Sequence, residues 1–219
     1  MSFQEELIRA MDAAGKREPI VVCDFDGTLT TADSDVTMNA MAKYLGYDSP
    51  FAKARDELYR TYSPQLAEAA EGEKETLERK WWNGQMSLFL RYPVAPESFT
   101  EALGKLNFRL RSEAEELLRF CEEKDIAVFI VSAGLGNLII PILAYSGHLS
   151  GNLRVLSNFV RYEEGKAVSY TAPVTPSNKG IHLRMELDAF DDYYAVVFGN
   201  RKEDLTLLAP EDSIAIRVE

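Results

Sequence analysis

Four short apolar runs punctuate the chain: Ile20–Cys23, Ile126–Val131, Tyr193–Phe198 and Ile214–Val218. Each is too short for a buried helix and is bounded by polar or glycine-bearing segments, the pattern of a strand covered on both faces. Between most of them, apolar residues recur at helical spacing. After Ser112, the residues Ala114, Leu117, Leu118 and Cys121 fall on one helical face, and Ser112 with Glu115 three residues on reads as a capping box. Helices alternating with buried strands predict an α/β fold: a doubly wound, Rossmann-like parallel sheet with helices on both faces.

Residues 31–111 break this alternation. Their pattern is helical almost throughout, in the segments Val36–Leu45, Ala52–Tyr62, Glu73–Leu90 and Ser98–Leu106, with no convincing buried strand. Both ends return to the same sheet, so the section reads as a helical cap inserted after the first strand. The expected division is a core of residues 1–30 and 112–219 and a cap of residues 31–111. Further on, Leu153–Tyr162 and Lys166–Thr171 flank Glu163-Glu164-Gly165, the signature of a hairpin.

A length of 219 residues suits one large domain or a core carrying an insert, and 46% hydrophobic with 27% charged residues is ordinary for a soluble globule. The net charge of −11 argues against binding a nucleic-acid polymer. It permits a small phosphorylated metabolite, because one metal ion and one lysine set a local positive field. No apolar run approaches the ~18 residues that span a bilayer, so no membrane partner is expected. The segment Met1–Glu6 lacks the basic and apolar regions of a signal peptide, and Cys23 and Cys121 read as reduced core residues. A cytoplasmic location follows as the expectation. His148 and His182 have no metal-binding spacing and read as structural or surface residues.

The chemistry concentrates at strand ends. Asp24-Phe25-Asp26-Gly27-Thr28 directly follows the first apolar run, setting two carboxylates two residues apart at the carboxyl end of a central strand, where open α/β sheets bind ligands. Such a pair needs a cation or a shared proton. Gly27 permits a tight turn, and Thr28 offers a hydroxyl and a backbone donor near an anion. Ser132-Ala133-Gly134-Leu135-Gly136 ends the second run before a helical pattern. There Ser132 and the amides of Ala133 and Gly134 would form an anion seat at a helix amino terminus. Lys179, in Pro176-Ser177-Asn178-Lys179-Gly180, would neutralise Asp24 and an incoming phosphate.

The Asp24–Thr28 pattern, D-x-D-G-T, resembles that of the haloacid dehalogenase-like phosphatases, in which it opens the active site. Ser132, Lys179 and the end of the third run follow in that superfamily's order. Two stretches, Ser132–Asn137 and Asn152–Phe159, are similar to the pyrimidine 5′-nucleotidase family, where a serine-alanine-glycine segment precedes a hairpin with the same Ser-Asn-Phe. Glu78-Arg79-Lys80-Trp81-Trp82-Asn83 resembles that family's tryptophan-bearing cap helix. The resemblance implies that Asp24 attacks phosphorus to form an aspartyl-phosphate. Asp26 would protonate the leaving oxygen and then deprotonate water, while Ser132 and Lys179 stabilise the phosphoryl group. Mg²⁺ would be held by the Asp24 carboxylate, the Asp26 carbonyl and Asn200, with Asp204 directly or through water. Where the superfamily has an acid directly after the strand-ending glycine, this chain has Asn200, whose amide oxygen can bind Mg²⁺ but adds no charge.

The implied substrate is a nucleoside monophosphate, a pyrimidine nucleotide for a 5′-nucleotidase. Trp81 and Trp82 are candidates for contacting the base, since stacking contributes ~1–3 kcal/mol per base. Adjacent helical residues point about 100° apart, so the two cannot both face one pocket squarely, and packing inside the cap competes for each. Two alternatives stay open: a phosphoserine or sugar-phosphate phosphatase sharing the same core, and a non-catalytic member that binds a phosphate ligand or a protein, which Asn200 favours.

Overall fold

The computed structural model describes residues 2–219. Helix α1 (Phe3–Ala14) opens with a capping box, in which the Glu5 amide donates to Ser2 Oγ and the Ser2 amide donates to Glu5 Oε2, and it leads into β1 (Glu18–Cys23). Four helices follow: α2 (Thr37–Leu45), α3 (Pro50–Glu68), α4 (Glu71–Arg91) and α5 (Glu97–Leu103). The chain then alternates through α6 (Ser112–Glu123), β2 (Ala127–Leu135), α7 (Gly136–Tyr145) and β3 (Leu153–Asn158). A hairpin of β4 (Val160–Glu163) and β5 (Lys166–Tyr170) precedes α8 (Lys179–Leu187), β6 (Tyr193–Gly199) and β7 (Ser213–Arg217).

The main sheet has the order β3-β2-β1-β6-β7 with every pairing parallel, the α/β architecture expected from the alternation. The apolar runs of β1, β2 and β6 are continuous because both faces are covered, whereas β7, expected to be a buried core strand, is an edge strand with Ile214 and Ala215 exposed. Val21, Cys23, Val128 and Ile130 face a core shared with Leu7 of α1 and Leu117 of α6. Their neighbours Ile20, Val22, Phe129 and Val131 face Leu183 and Leu187 of α8. This is the two-residue alternation of a strand with an apolar layer on each side. Register then sets the site: Cys23 pairs with Ile130 of β2 and Phe198 of β6, so the three central strands end side by side.

Residues 31–111 are helical where they are ordered into elements, and the two ends of this section are stitched together. The Thr31 amide donates to Arg109 O at 2.9 Å, the Arg111 amide donates to Leu29 O at 2.9 Å, and Thr30 bridges Leu110. Phe51, Phe89 and Phe99 join α3, α4 and α5 through ring contacts of 5.0 and 6.1 Å. No described helix is long and apolar enough to cross a membrane. Cys23 and Cys121 are buried and unpaired, and burial lifts the Cys23 thiol well above its usual range and the Cys121 thiol to about 12.

Two expectations need correction. Leu153–Asn158 is not the first hairpin strand but the fifth strand of the parallel sheet, pairing with β2. It is an edge strand with only its last two residues buried, so it lacks the apolar run that marks its neighbours, and its sequence runs almost directly into β4. Ser112 is not a cap either. Arg111 occupies that position, and the Ser112 hydroxyl donates to Glu113 Oε2 at 3.0 Å.

Asn158 closes β3 with a fully buried side chain. Its Nδ2 donates to the carbonyls of Ala133, Gly134 and Val174 at 2.9–3.0 Å, and its Oδ1 accepts from the Val174 amide at 2.9 Å. One amide thus ties the end of β2 to the loop before Lys179. Asn158→Ala leaves these backbone groups buried and unpaired, and thermal or urea unfolding is expected to show a loss of about 2–4 kcal/mol.

Candidate active site

Asp24 is the first residue beyond β1 and is 5% exposed. The turn that follows needs a left-handed residue, and Gly27 supplies it with φ 81°. Gly27 N donates to Thr30 Oγ1 at 2.8 Å, closing the turn. This geometry brings both carboxylates to a cleft of about 220 Å³ that is also bordered by Ser132, Lys179 and Asp204.

Lys179 is the electrostatic centre. It starts α8 behind a single 3₁₀ turn, Pro176–Asn178, is 4% exposed, and its Nζ donates to Asp24 Oδ1 and to Asp204 Oδ1, each at 2.6 Å. Burial presses Lys179 toward the neutral amine, but the two carboxylates outweigh it and hold the ammonium above its usual range. Burial raises Asp24 above the ordinary carboxylate range against the pull of Lys179, with Asp204 adding to the rise. Asp204 Oδ1 accepts from Lys179 and its Oδ2 from the Arg201 amide at 3.1 Å, so the carboxylate anchors the lysine at the border of the cleft.

Asp26 is held by a residue that the sequence pattern did not single out. Thr37, the first residue of α2, donates its amide to Asp26 Oδ1 at 2.9 Å and its hydroxyl to Oδ2 at 2.7 Å, and Thr37 Oγ1 accepts from the Leu135 amide at 3.1 Å. Burial raises the Asp26 pKa to about 6 despite these bonds. Gly134 sits against this cluster, and a methyl group there would overlap Thr37 Oγ1 and Asp26 Oδ2.

The phosphate-binding residues were expected at a helix amino terminus, and the structure corrects this. Strand β2 continues through Leu135 and α7 begins only at Gly136, so Ser132, Ala133 and Gly134 lie on the strand end. The Gly134 amide is engaged, donating to Ser132 Oγ at 3.0 Å, which leaves the Ser132 hydroxyl proton to donate into the cleft. Thr28 does not reach the cleft. Its side chain is fully buried and its hydroxyl donates to Asp24 Oδ2 at 3.5 Å, orienting the carboxylate from behind.

Trp81 and Trp82 both border the cleft, although adjacent helical positions argued against it. Their rings meet at 66° with centroids 5.3 Å apart, so they present different aspects to it. Trp82 Nε1 donates to Ala133 O at 2.8 Å, joining α4 to the core beside the site, and Trp81 packs against Tyr59 and Tyr62.

The donor set suits a hard divalent cation. Asn200 Oδ1 is buried without a hydrogen-bond partner, and the same amide lies against the Asp26 carbonyl, with Nδ2 at 3.5 Å. With the Asp24 carboxylate these are oxygen ligands of the kind Mg²⁺ takes. Among the described residues no group of three or more His, Cys, Asp or Glu side chains is arranged for a metal, consistent with Lys179 and Asn200 standing among the acids.

The buried Asp26 yields a stability test. Its folded pKa lies above the unfolded value, so the stability it contributes is present at low pH and is lost as pH rises through about 6. Asp26→Asn removes this dependence. Its stability relative to the natural protein is expected to grow by roughly 1–3 kcal/mol between about pH 4 and pH 7 in urea titrations, and a pH-independent difference would contradict the burial account.

The pyrimidine 5′-nucleotidase (UMPH-1) family matches residues 36–183. The 7-methylguanosine phosphate-specific 5′-nucleotidase of Drosophila melanogaster is 25% identical over 202 residues, covering 88% of this chain and 62% of that protein. Its Mus musculus counterpart is 23% identical over 169 residues, covering 73% and 56%. The chain therefore spans less than two thirds of the length of these relatives. Cytosolic 5′-nucleotidase IIIB bound to cytidine superposes with a TM-score of 0.79 at 21% identity, covering 97% of this chain and 78% of that one. A phosphoserine phosphatase solved as a phospho-aspartyl intermediate analogue gives 0.56 at 17% identity, covering 88% and 82%. The fold is that of the haloacid dehalogenase-like phosphatases. With its family match running from the start of α2 into α8, the chain belongs to the pyrimidine 5′-nucleotidase (UMPH-1) family.

Proposed function

We propose that the protein hydrolyses phosphate monoesters, with nucleoside 5′-monophosphates as substrates, at the cleft over Asp24. The observation that carries this reading is the Asp24 carboxylate held by the Lys179 ammonium at 2.6 Å, with Asp26 beside it, on the floor of a cleft bordered by Trp81 and Trp82. Residues 31–111 act as the cap, closing the cleft and choosing the leaving group, around a core of residues 1–30 and 112–219. The cytoplasm is the proposed location, in keeping with two buried, unpaired cysteines.

In the first step an Asp24 oxygen bonds to phosphorus as the ester P–O bond breaks, and Asp26 gives its proton to the departing oxygen. A carboxyl with a pKa of about 6 is suited to that transfer. Lys179 and the Ser132 hydroxyl neutralise charge on the phosphoryl oxygens, the contribution that dominates this class of chemistry. In the second step Asp26 takes a proton from water, the hydroxide oxygen bonds to phosphorus, and the Asp24–phosphorus bond breaks to release inorganic phosphate. The Asp24 carboxylate, the Asp26 carbonyl and Asn200 Oδ1 would hold Mg²⁺, with Asp204 directly or through water, and the bound ion would supply additional positive charge at the phosphoryl group. Asp204 keeps Lys179 in place.

The decisive test is phosphate release from nucleoside monophosphates, phosphoserine and sugar phosphates, with Mg²⁺ or with chelator. Release is expected from the nucleotides and only with metal. Asp24→Asn should lower turnover by about a thousandfold or more while circular dichroism and thermal unfolding stay native-like; retained activity would remove Asp24 as the nucleophile. Asn200→Asp adds the missing charge, so Mg²⁺ affinity measured by calorimetry should rise by about tenfold or more. An unchanged affinity would exclude Asn200 from the metal's surroundings.

A further inference from the structure

Away from the phosphate end, the cleft runs between α3 and α4. Arg55 and Tyr59 stand one turn apart on α3, and Trp81 and Gln85 one turn apart on α4, so each pair shares a helix face, and all four border the cleft. Two buried donors there have no acceptor. The Arg55 side chain is 16% exposed. Its Nη2 donates to Asn39 Oδ1 and its Nη1 lies 3.6 Å from Asp56 Oδ1, while its Nε is buried and unpaired. Trp81 Nε1 is likewise buried with no partner. Unpaired buried donors are costly, and a leaving group that fills this end relieves the cost only by bringing acceptors. It also meets a guanidinium that keeps its charge at any ordinary pH.

We propose that Arg55 sets the leaving-group preference of the site, favouring a neutral base that turns carbonyl oxygens toward α3 and α4 and disfavouring a base that carries positive charge. 7-Methylguanine is such a base, because methylation at N7 both removes an acceptor and makes the ring cationic. The aromatic side chains beside Arg55 offer stacking to either kind of base and would attract a cation by themselves. The arginine fixed among them opposes that attraction, and Asp56, with its side chain 48% exposed, screens only part of its charge. This chain is therefore expected to differ in base preference from its relatives named as 7-methylguanosine phosphate-specific. The inference rests on the nucleotidase reading for its ligand class, but not on turnover.

The test is calorimetric binding of the free nucleosides uridine, guanosine and 7-methylguanosine to the natural protein, Arg55→Met and Arg55→Lys. The natural protein should bind uridine and guanosine about tenfold or more tightly than 7-methylguanosine, and Arg55→Met should erase that ratio. Arg55→Lys keeps the charge but loses the planar fork, so it should retain the penalty on 7-methylguanosine while weakening guanosine. The kcat/KM values of the matching monophosphates should move in the same sense. Equal affinity for the three nucleosides, binding of none of them, or an unchanged ratio in Arg55→Met overturns the proposal. Should Arg55→Met fail to fold, the natural protein and Arg55→Lys decide it. Nucleoside discrimination without hydrolysis of any ester would leave this inference standing and remove the catalytic one.

Discussion

The contact on which the site depends is the Lys179 ammonium lodged between Asp24 and Asp204. All three side chains are nearly sealed from solvent, and an uncompensated charge among them would be severely penalised. The arrangement requires three separate chain segments to end together: the exit of β1, the start of α8 and the turn after β6. Parallel pairing of β1 with β6 in register supplies this, and the buried amide of Asn158 holds the loop that delivers Lys179. The sheet is a platform for one cation, and the apolar layers on its two faces keep that platform rigid.

Much of this was legible from residue order. The strands β1, β2 and β6 announce themselves because burial on both faces forces continuous apolar runs, and the D-x-D-G-T turn identifies itself because the positive φ at Gly27 demands glycine; β7 was legible from its apolar run although it is an edge strand with Ile214 and Ala215 exposed. Strand β3 was misread because an edge strand is only partly covered and need not be apolar. Ser112 had the spacing of a cap without its geometry, since the helix begins one residue earlier in space than the motif implies.

The polar contacts were harder to foresee. Thr37 lies eleven residues beyond Asp26, and a lone threonine in a helical pattern carries no signal until packing brings the start of α2 against β2. Asp204 was visible as an acid in the right place, but its two oxygens are divided between Lys179 and the Arg201 amide, which spacing alone does not reveal. Arg55 looks like an ordinary surface cation on a charged helix until α3 and α4 enclose it.

The clamp between Thr37 and Asp26 sets two opposing influences on one carboxyl. Thr37 is the first residue of α2, and its two donated bonds favour the charged form of Asp26, while burial favours the neutral form. Burial is the larger influence and lifts the pKa to about 6, so the start of α2 works as a brake on this acid and not as its source.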